Sequence, residues 1–123
     1  MRRIHHDMKD DSIDEDVLLR LHKMGGAELV SGLIALYFKN APEKLDTIYT
    51  GLKNGDSESI ERAAHTMISS AGNLGGKLVS DLAKKIEAAA MENDLKEIED
   101  LVGPFDQANT SFYNYLKEYE GAS

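Results

Sequence analysis

The helical spacing of apolar residues is the feature that most limits how this chain of 123 residues can fold. Apolar positions recur every three or four residues almost throughout, and no run of alternating β-branched residues stands out. This spacing is typical of amphipathic helices, each of which buries one face against a neighbour. The length suits a single hydrophobic core. We therefore expect one all-α domain.

Residues with known effects on helix ends divide the pattern into segments. Ser12-Ile13-Asp14-Glu15 has the form of a capping box that opens the first helix, and Gly25-Gly26 is expected to end it. Pro42 suits the first turn of a new helix, so the chain should break near it. Further helices are predicted over residues 27–40, 43–53 and 58–71, from the turn at 73–76 to Met91, and from Asn93-Asp94 onward.

Three details of these segments can be checked against a structure. Asp56 or Ser57 is expected to cap the helix that carries residues 58–71. Gly103-Pro104 is expected to kink or break the last helix, because proline removes one backbone hydrogen bond and clashes with the preceding turn. The residues predicted to face inward include Leu18, Met24, Leu36, Tyr37, Ile48 and Tyr49.

Short connections between long amphipathic helices favour antiparallel neighbours. The expected architecture is an antiparallel up-and-down four-helix bundle with an additional N-terminal helix. Residues 1–11 are predicted to be a flexible N-terminus, residues 12–120 the helical bundle domain, and residues 121–123 a C-terminal tail.

Composition excludes several classes of function. The formal net charge is −8 and no Lys/Arg stripe reverses it locally, so nucleic acid is not an expected partner. No apolar stretch is long enough to span a bilayer, and no cysteine is present for thiol chemistry, zinc or disulfides. His5 and His6 lack the further ligands of a metal site, so no metal is predicted. We expect a cytoplasmic monomer that does not bind a membrane.

One helix separates a buried face from a candidate reactive residue. Its apolar stripe consists of Ile60, Ala64, Met67, Ala71 and Leu74, spaced by four, three, four and three. His65 lies roughly 140° from the centre of that stripe on a helical wheel. Ser69 and Gly72 keep the neighbouring surface low, so a second protein could approach the imidazole. The simpler interpretations are an ordinary half-exposed histidine and, for Gly72, an ordinary helix exit.

Residues 64–75, Ala-His-Thr-Met-Ile-Ser-Ser-Ala-Gly-Asn-Leu-Gly, resemble the core motif of the histidine-containing phosphotransfer (HPt) domains of two-component phosphorelays. Asn40-Ala41-Pro42, Gly55-Asp56 and residues 82–87 also resemble the family at matching spacings. The resemblance implies that His65 is the phosphorylated histidine and Ser69 the small residue one turn later. Gly72 and Gly75 match the later glycines. Ile68 departs from the pattern, since most members have lysine there.

The resemblance implies a phosphocarrier rather than an enzyme in its own right. His65 would relay a phosphoryl group between aspartates of response-regulator receiver domains, with sensor or hybrid histidine kinases as further partners. No cofactor is expected on this chain, because the receiver would supply its own Mg²⁺. Arg62 and Lys77 are candidates to replace the missing lysine, and Ile68 and Gly75 are expected to contact the partner.

The sequence leaves two other functions open. The domain could bind a receiver or a kinase without transferring phosphate, and Ile68 is the feature that favours this. It could also be a structural bundle in which His65 is incidental, although the aligned glycines and the open face around the histidine favour the other two.

Overall fold

The structure is a computed structural model and describes residues 12–122. In this range the chain forms four helices and no strand: α1 (Asp16–Asn54), α2 (Ser57–Gly72), α3 (Lys77–Met91) and α4 (Leu95–Ala122). Consecutive helices pack against each other, and α1 also contacts α4, which closes the bundle. The predicted all-α class and four-helix bundle are therefore confirmed. The predicted flexible N-terminus (1–11), with His5 and His6, lies outside the described residues.

Gly26 interrupts α1 near its start. Its backbone is left-handed and extended (φ 75°, ψ −171°), a conformation that glycine adopts without the penalty of a Cβ. Residues 16–25 therefore form the additional N-terminal helix, and residues 27–54 form the first bundle helix. The helix begins at Asp16, whose N–H donates to the Asp14 carboxylate at 3.2 Å. The capping box predicted at Ser12 is thus wrong.

Neither proline ends a helix. Residues 27–54 continue through Pro42, so the predicted boundary at Pro42 is wrong. The last helix, α4, runs through Pro104 to Ala122, so of the kink or break predicted at Gly103-Pro104 the break does not occur. Each proline lies on the exposed side, whereas the neighbouring Ala41 and Phe105 are buried. Burial of a continuous apolar face on both sides of the proline outweighs the loss of one backbone hydrogen bond.

Every helix contributes side chains to the hydrophobic core. Its largest fully buried side chains include Leu18, Ile34, Ile48, Ile60, Met67, Ile86, Phe105 and Phe112. All five residues of the predicted α2 stripe are buried. Met24, Leu36 and Tyr49, in contrast, are exposed, so their predicted inward positions are wrong. The buried stripe of α1 instead follows Val30, Ile34, Tyr37 and Ala41 at spacings of four, three and four.

The turn between α2 and α3 is covered by residues 12–15, which precede the first helix. The Asp14 N–H donates to the Gly75 carbonyl at 2.8 Å, and the Leu78 N–H donates to the Ser12 carbonyl at 2.9 Å. We call residues 12–15 the N-terminal strap. Gly75 is buried beneath it with φ 93°. A Cβ on Gly75 would lie 2.5 Å from the Asp14 carbonyl oxygen, so the strap can close over the turn only where this side chain is absent.

Candidate functional site

His65 lies in the middle of α2, and its side chain is 75% exposed. The preceding residue, Ala64, is completely buried, as are Ile60 and Met67 one turn away on the core side. Because these residues anchor one side of the helix, the histidine is held on the opposite, outer side. The exposure predicted from its distance to the apolar stripe is therefore confirmed.

The imidazole is oriented by a carboxylate from the next helix. Nδ1 of His65 lies 2.7 Å from Oε2 of Glu87, whose side chain is 23% exposed. A carboxylate only accepts hydrogen bonds, so this contact places a proton on Nδ1. In a neutral ring that assignment leaves the lone pair on Nε2, for which residues 12–122 provide no hydrogen-bond partner. The outer nitrogen is thus the nucleophilic one.

Glu87 is the residue of this site that was not predicted from the sequence. Its contact depends on how α2 and α3 are aligned, and two contacts define that alignment. The Ser80 hydroxyl donates to the Ile68 carbonyl at 2.8 Å, and Glu87, seven residues later on the same side of α3, meets His65. A wheel for α3, paired antiparallel with α2, would have placed Glu87 on this side.

The small residues near His65 differ in what they contact. Ser69 is exposed one turn after the histidine, and its hydroxyl contacts the Thr66 carbonyl at 3.5 Å. It therefore leaves low, accessible surface beside the ring. Gly72 is also exposed, but a Cβ there would lie 3.3 Å from the Ser80 hydroxyl oxygen. Gly72 thus allows α3 to approach α2 closely, a role inside the domain in addition to the one predicted from the sequence.

Ile68 is half-buried and packs against the core. It brings no charge to the surface beside His65, and its remaining exposed part is apolar. Gly75, the other residue predicted to contact a partner, lies under the N-terminal strap. Its predicted docking role is therefore wrong, because the strap occupies the space that a partner would need.

The two predicted cations are placed very differently. Lys77 is the first residue of α3 and is exposed. Ten residues separate it from Glu87, which corresponds to about 15 Å along the helix. The structure therefore does not bring Lys77 next to His65, and its predicted contact with a group on the histidine stays a prediction. Arg62 lies one turn before His65, but its guanidinium donates to the Ser59 hydroxyl at 3.3 Å, towards the start of α2.

Asp56 caps α2 and attracts Arg62. Its carboxylate accepts from the Ser59 N–H at 3.1 Å, as the predicted cap requires, and from the Ser59 hydroxyl at 2.7 Å. These hydrogen bonds, helped by the charge of Arg62, lower the pKa of Asp56 below its ordinary value. Arg62 thus belongs to a polar group with Asp56 and Ser59 at the helix start.

No group of three or more His, Cys, Asp or Glu side chains within residues 12–122 is arranged to hold a metal ion. Over the same range, none of the helices combines the length and the hydropathy needed to cross a membrane.

A helical bundle that exposes His65, with its inner ring nitrogen fixed by a neighbouring carboxylate, is suited to carrying a group on the outer nitrogen. A family model described as "Hpt domain" matches residues 32–116, which is more than half of the chain. The chain therefore belongs to the Hpt domain family.

Two similar proteins agree with this assignment. The sensor protein TorS of Escherichia coli (strain K12) is 33% identical over 78 residues, which make up 63% of this chain but only 8% of TorS. The chain thus spans a small part of that relative's length. The crystal structure of histidine-containing phosphotransfer protein B (HptB) from Pseudomonas aeruginosa PAO1 matches with a TM-score of 0.85, over 91% of this chain and 96% of that one. At 20% identity, this match shows a shared fold.

Proposed function

We propose that this domain is a phosphocarrier in a two-component phosphorelay, with His65 as the residue that accepts and donates the phosphoryl group. The observation that carries the proposal is the pairing of an exposed imidazole with Glu87, which leaves Nε2 both accessible and nucleophilic. Membership of the Hpt domain family supports it.

The transfer needs no cofactor from this chain. The Nε2 lone pair of His65 attacks the phosphorus of an aspartyl phosphate on a receiver domain. The bond between phosphorus and the aspartate oxygen breaks, and the aspartate leaves as a carboxylate with the electron pair. His65 becomes a phosphorylated imidazolium that keeps its Nδ1 proton, and the Glu87 carboxylate stabilises the positive ring. The reverse sequence returns the phosphoryl group to a receiver.

The chemistry in such a transfer is mainly positioning and neutralisation of charge. This chain would contribute a nucleophile on a rigid helix and a low surface beside it at Ser69. The receiver would contribute its aspartates, its lysine and Mg²⁺. The proposal therefore includes receiver domains and a sensor or hybrid histidine kinase as partners, and a cytoplasmic location where they meet. A monomer suffices, because His65 and Glu87 belong to the same chain.

One observation favours a second function. Ile68 provides an apolar contact where a cation would assist a phosphoryl group, so the domain could bind a receiver without turnover. Its half-buried side chain beside His65 would then be a docking contact alone.

Transfer from phosphorylated receivers distinguishes these functions. Receiver domains encoded in the same genome are phosphorylated with labelled acetyl phosphate, freed of excess donor and mixed with the chain. We expect an acid-labile label to appear on the wild-type chain and on His22→Ala, whose altered histidine is exposed on the N-terminal helix. His65→Ala should stay unlabelled. A receiver that binds the wild-type chain but transfers no label to His65 would support the binding-only function instead.

A further inference from the structure

A phosphoryl group on Nε2 of His65 would carry about two negative charges near neutral pH, judged from other phosphorylated side chains. Its surroundings already contain the carboxylates of Glu61 and Glu87. Residue 68, one turn after the histidine, is an isoleucine. The two helices that flank the site, α2 and α3, carry four cationic side chains: Arg62, Lys77, Lys84 and Lys85.

Two interhelical contacts place Lys84 at the outer edge of the α2–α3 interface. Ser80, four residues earlier, meets α2 at Ile68, and Glu87, three residues later, meets α2 at His65. Lys84 therefore lies between the levels of Ile68 and His65 along the bundle. It is rotated about 60° around α3 from Glu87, on the solvent side. A lysine on this edge borders the same open surface as the imidazole.

Lys84 is available to move. Its side chain is 62% exposed, and its Nζ lies 4.0 Å from the Asp81 carboxylate, which is itself 51% exposed. Exposed pairs at this distance contribute little, because solvent screens them and both side chains keep alternative rotamers. A dianionic phosphoryl group nearby would attract the ammonium more strongly than Asp81 does.

The other three cations are less suitable. Arg62 already donates to Ser59 and lies near Asp56 at the start of α2. Lys77 begins α3, about 15 Å along the helix from Glu87. Lys85 projects about 160° around α3 from Glu87, so its charge lies on a different side of the domain.

We propose that Lys84 contacts the phosphoryl oxygens of phospho-His65 and supplies from α3 the positive charge that Ile68 does not supply from α2. The inference rests on the proposed function, since it requires His65 to accept a phosphoryl group. Lys84 would then touch the transferred group itself, and its Nζ would exchange the loose contact with Asp81 for a charge-assisted hydrogen bond.

A phosphorus NMR titration tests this contact without any partner protein. The chain is phosphorylated with phosphoramidate, and the signal that His65→Ala removes is assigned to phospho-His65. A nearby ammonium favours the dianionic phosphoryl group, so removing it should raise the titration midpoint. We expect Lys84→Met to raise it by about 0.3–0.5 pH units, a size reduced by solvent screening. Lys84→Arg should keep the wild-type midpoint.

Lys85→Met is the matched control, since it removes the same charge from the same helix on another side. The midpoint of this variant should differ from the wild-type midpoint by no more than the small long-range effect of one charge. If Lys84→Met leaves the midpoint at its wild-type value, or shifts it no further than Lys85→Met does, the proposed role of Lys84 is wrong. The proposed function of His65 is not affected by that result. Absence of any phosphohistidine signal from His65 would instead overturn the proposed function.

Discussion

At the scale of single residues, the site depends on one histidine and one glutamate from different helices. The exposure of His65 follows from local sequence, because five apolar residues of the same helix define the buried side. The contact with Glu87 joins residues 22 positions apart and depends on the alignment of two helices. Helical periodicity places Glu87 on the side of α3 that faces α2, but it does not give the level at which the two helices are aligned. The exposed histidine could therefore be predicted from the sequence, whereas its partner could not.

Glu87 should control both the tautomer and the reactivity of His65. Glu87→Ala removes the acceptor for the Nδ1 proton, and the ring should then exchange between tautomers. We expect transfer from a phosphorylated receiver to slow about three- to tenfold, because a hydrogen bond to a charged group is worth about 1.5 kcal/mol or more when buried and less at an exposed site. Long-range ¹H–¹⁵N correlations of the imidazole would report the tautomer directly.

Glu87→Gln separates geometry from charge. A glutamine oxygen can still accept the Nδ1 proton, so the tautomer should be kept while the negative charge that stabilises the phosphorylated ring is lost. Its transfer rate should fall between those of the wild-type chain and Glu87→Ala. If Glu87→Ala retains both the wild-type tautomer and the wild-type rate, the contact with His65 has no part in the chemistry.

At the scale of helices, two glycines and the capping residue Asp56 predicted helix ends better than the prolines or the capping box at Ser12 did. Gly26 and Gly55 have positive φ values of 75° and 69°, which explains why the chain changes direction there. Asp56 caps α2 through its own side chain. These effects act within a few residues and can be read from the sequence. Whether Pro42 ends a helix depends on the packing of residues on both sides of it, which involves the rest of the bundle.

Gly75 gives a direct test at this scale. Gly75→Ala should lower the free energy of unfolding by about 2–4 kcal/mol, because a non-glycine residue is strained at positive φ and the new Cβ would collide with the Asp14 carbonyl. Urea denaturation measures the change. Gly32→Ala is the matched control, since Gly32 lies in regular helix with open space around its Cβ position. It should stabilise the chain by about 0.5–1 kcal/mol.

Equal stability of Gly75→Ala and the wild-type chain would show that the strap does not hold the turn closed. The N-terminal strap would then cover the turn without contributing to the stability of the folded domain.

At the scale of the whole molecule, α1 and α4 meet through aromatic and polar contacts that join distant parts of the chain. The Tyr37 ring meets Phe112 edge-on with 5.3 Å between centroids, and its hydroxyl donates to the buried Asn109 side chain. The rings of Phe38 and Tyr113 stack with 4.2 Å between their centroids. The sequence predicted that Tyr37 is buried, but Asn109 could not be recognised as its partner because a lone asparagine in a helix is usually exposed.

The pair of Tyr37 and Asn109 should be mutually dependent. Tyr37→Phe leaves the Asn109 amide oxygen buried without its donor, and we expect a loss of about 1–3 kcal/mol in the free energy of unfolding. Tyr37→Phe combined with Asn109→Leu should recover part of that loss, since two apolar groups no longer need a hydrogen bond. If the changes in the free energy of unfolding caused by the two single substitutions simply add up in the double variant, the two residues are not coupled.

The buried Tyr37 should also make the free energy of unfolding depend on pH. Burial raises the pKa of Tyr37 above the ordinary value of 10.0. Above about pH 10 the unfolded chain therefore loses this proton while the folded chain keeps it, so the free energy of unfolding should fall as the pH rises. Tyr37→Phe should weaken that alkaline decline, which denaturation at a series of pH values can measure.

The N-terminal strap also has a consequence for how the molecule opens. Its two backbone hydrogen bonds join residues 12–15 to the turn between α2 and α3, so the amide protons of Asp14 and Leu78 are both protected by the closed strap. In amide hydrogen exchange these two protons should become unprotected together, as one cooperative unit. Because this unit lies about 15 Å along the bundle from His65, it should detach and close again while the surface around His65 keeps its shape.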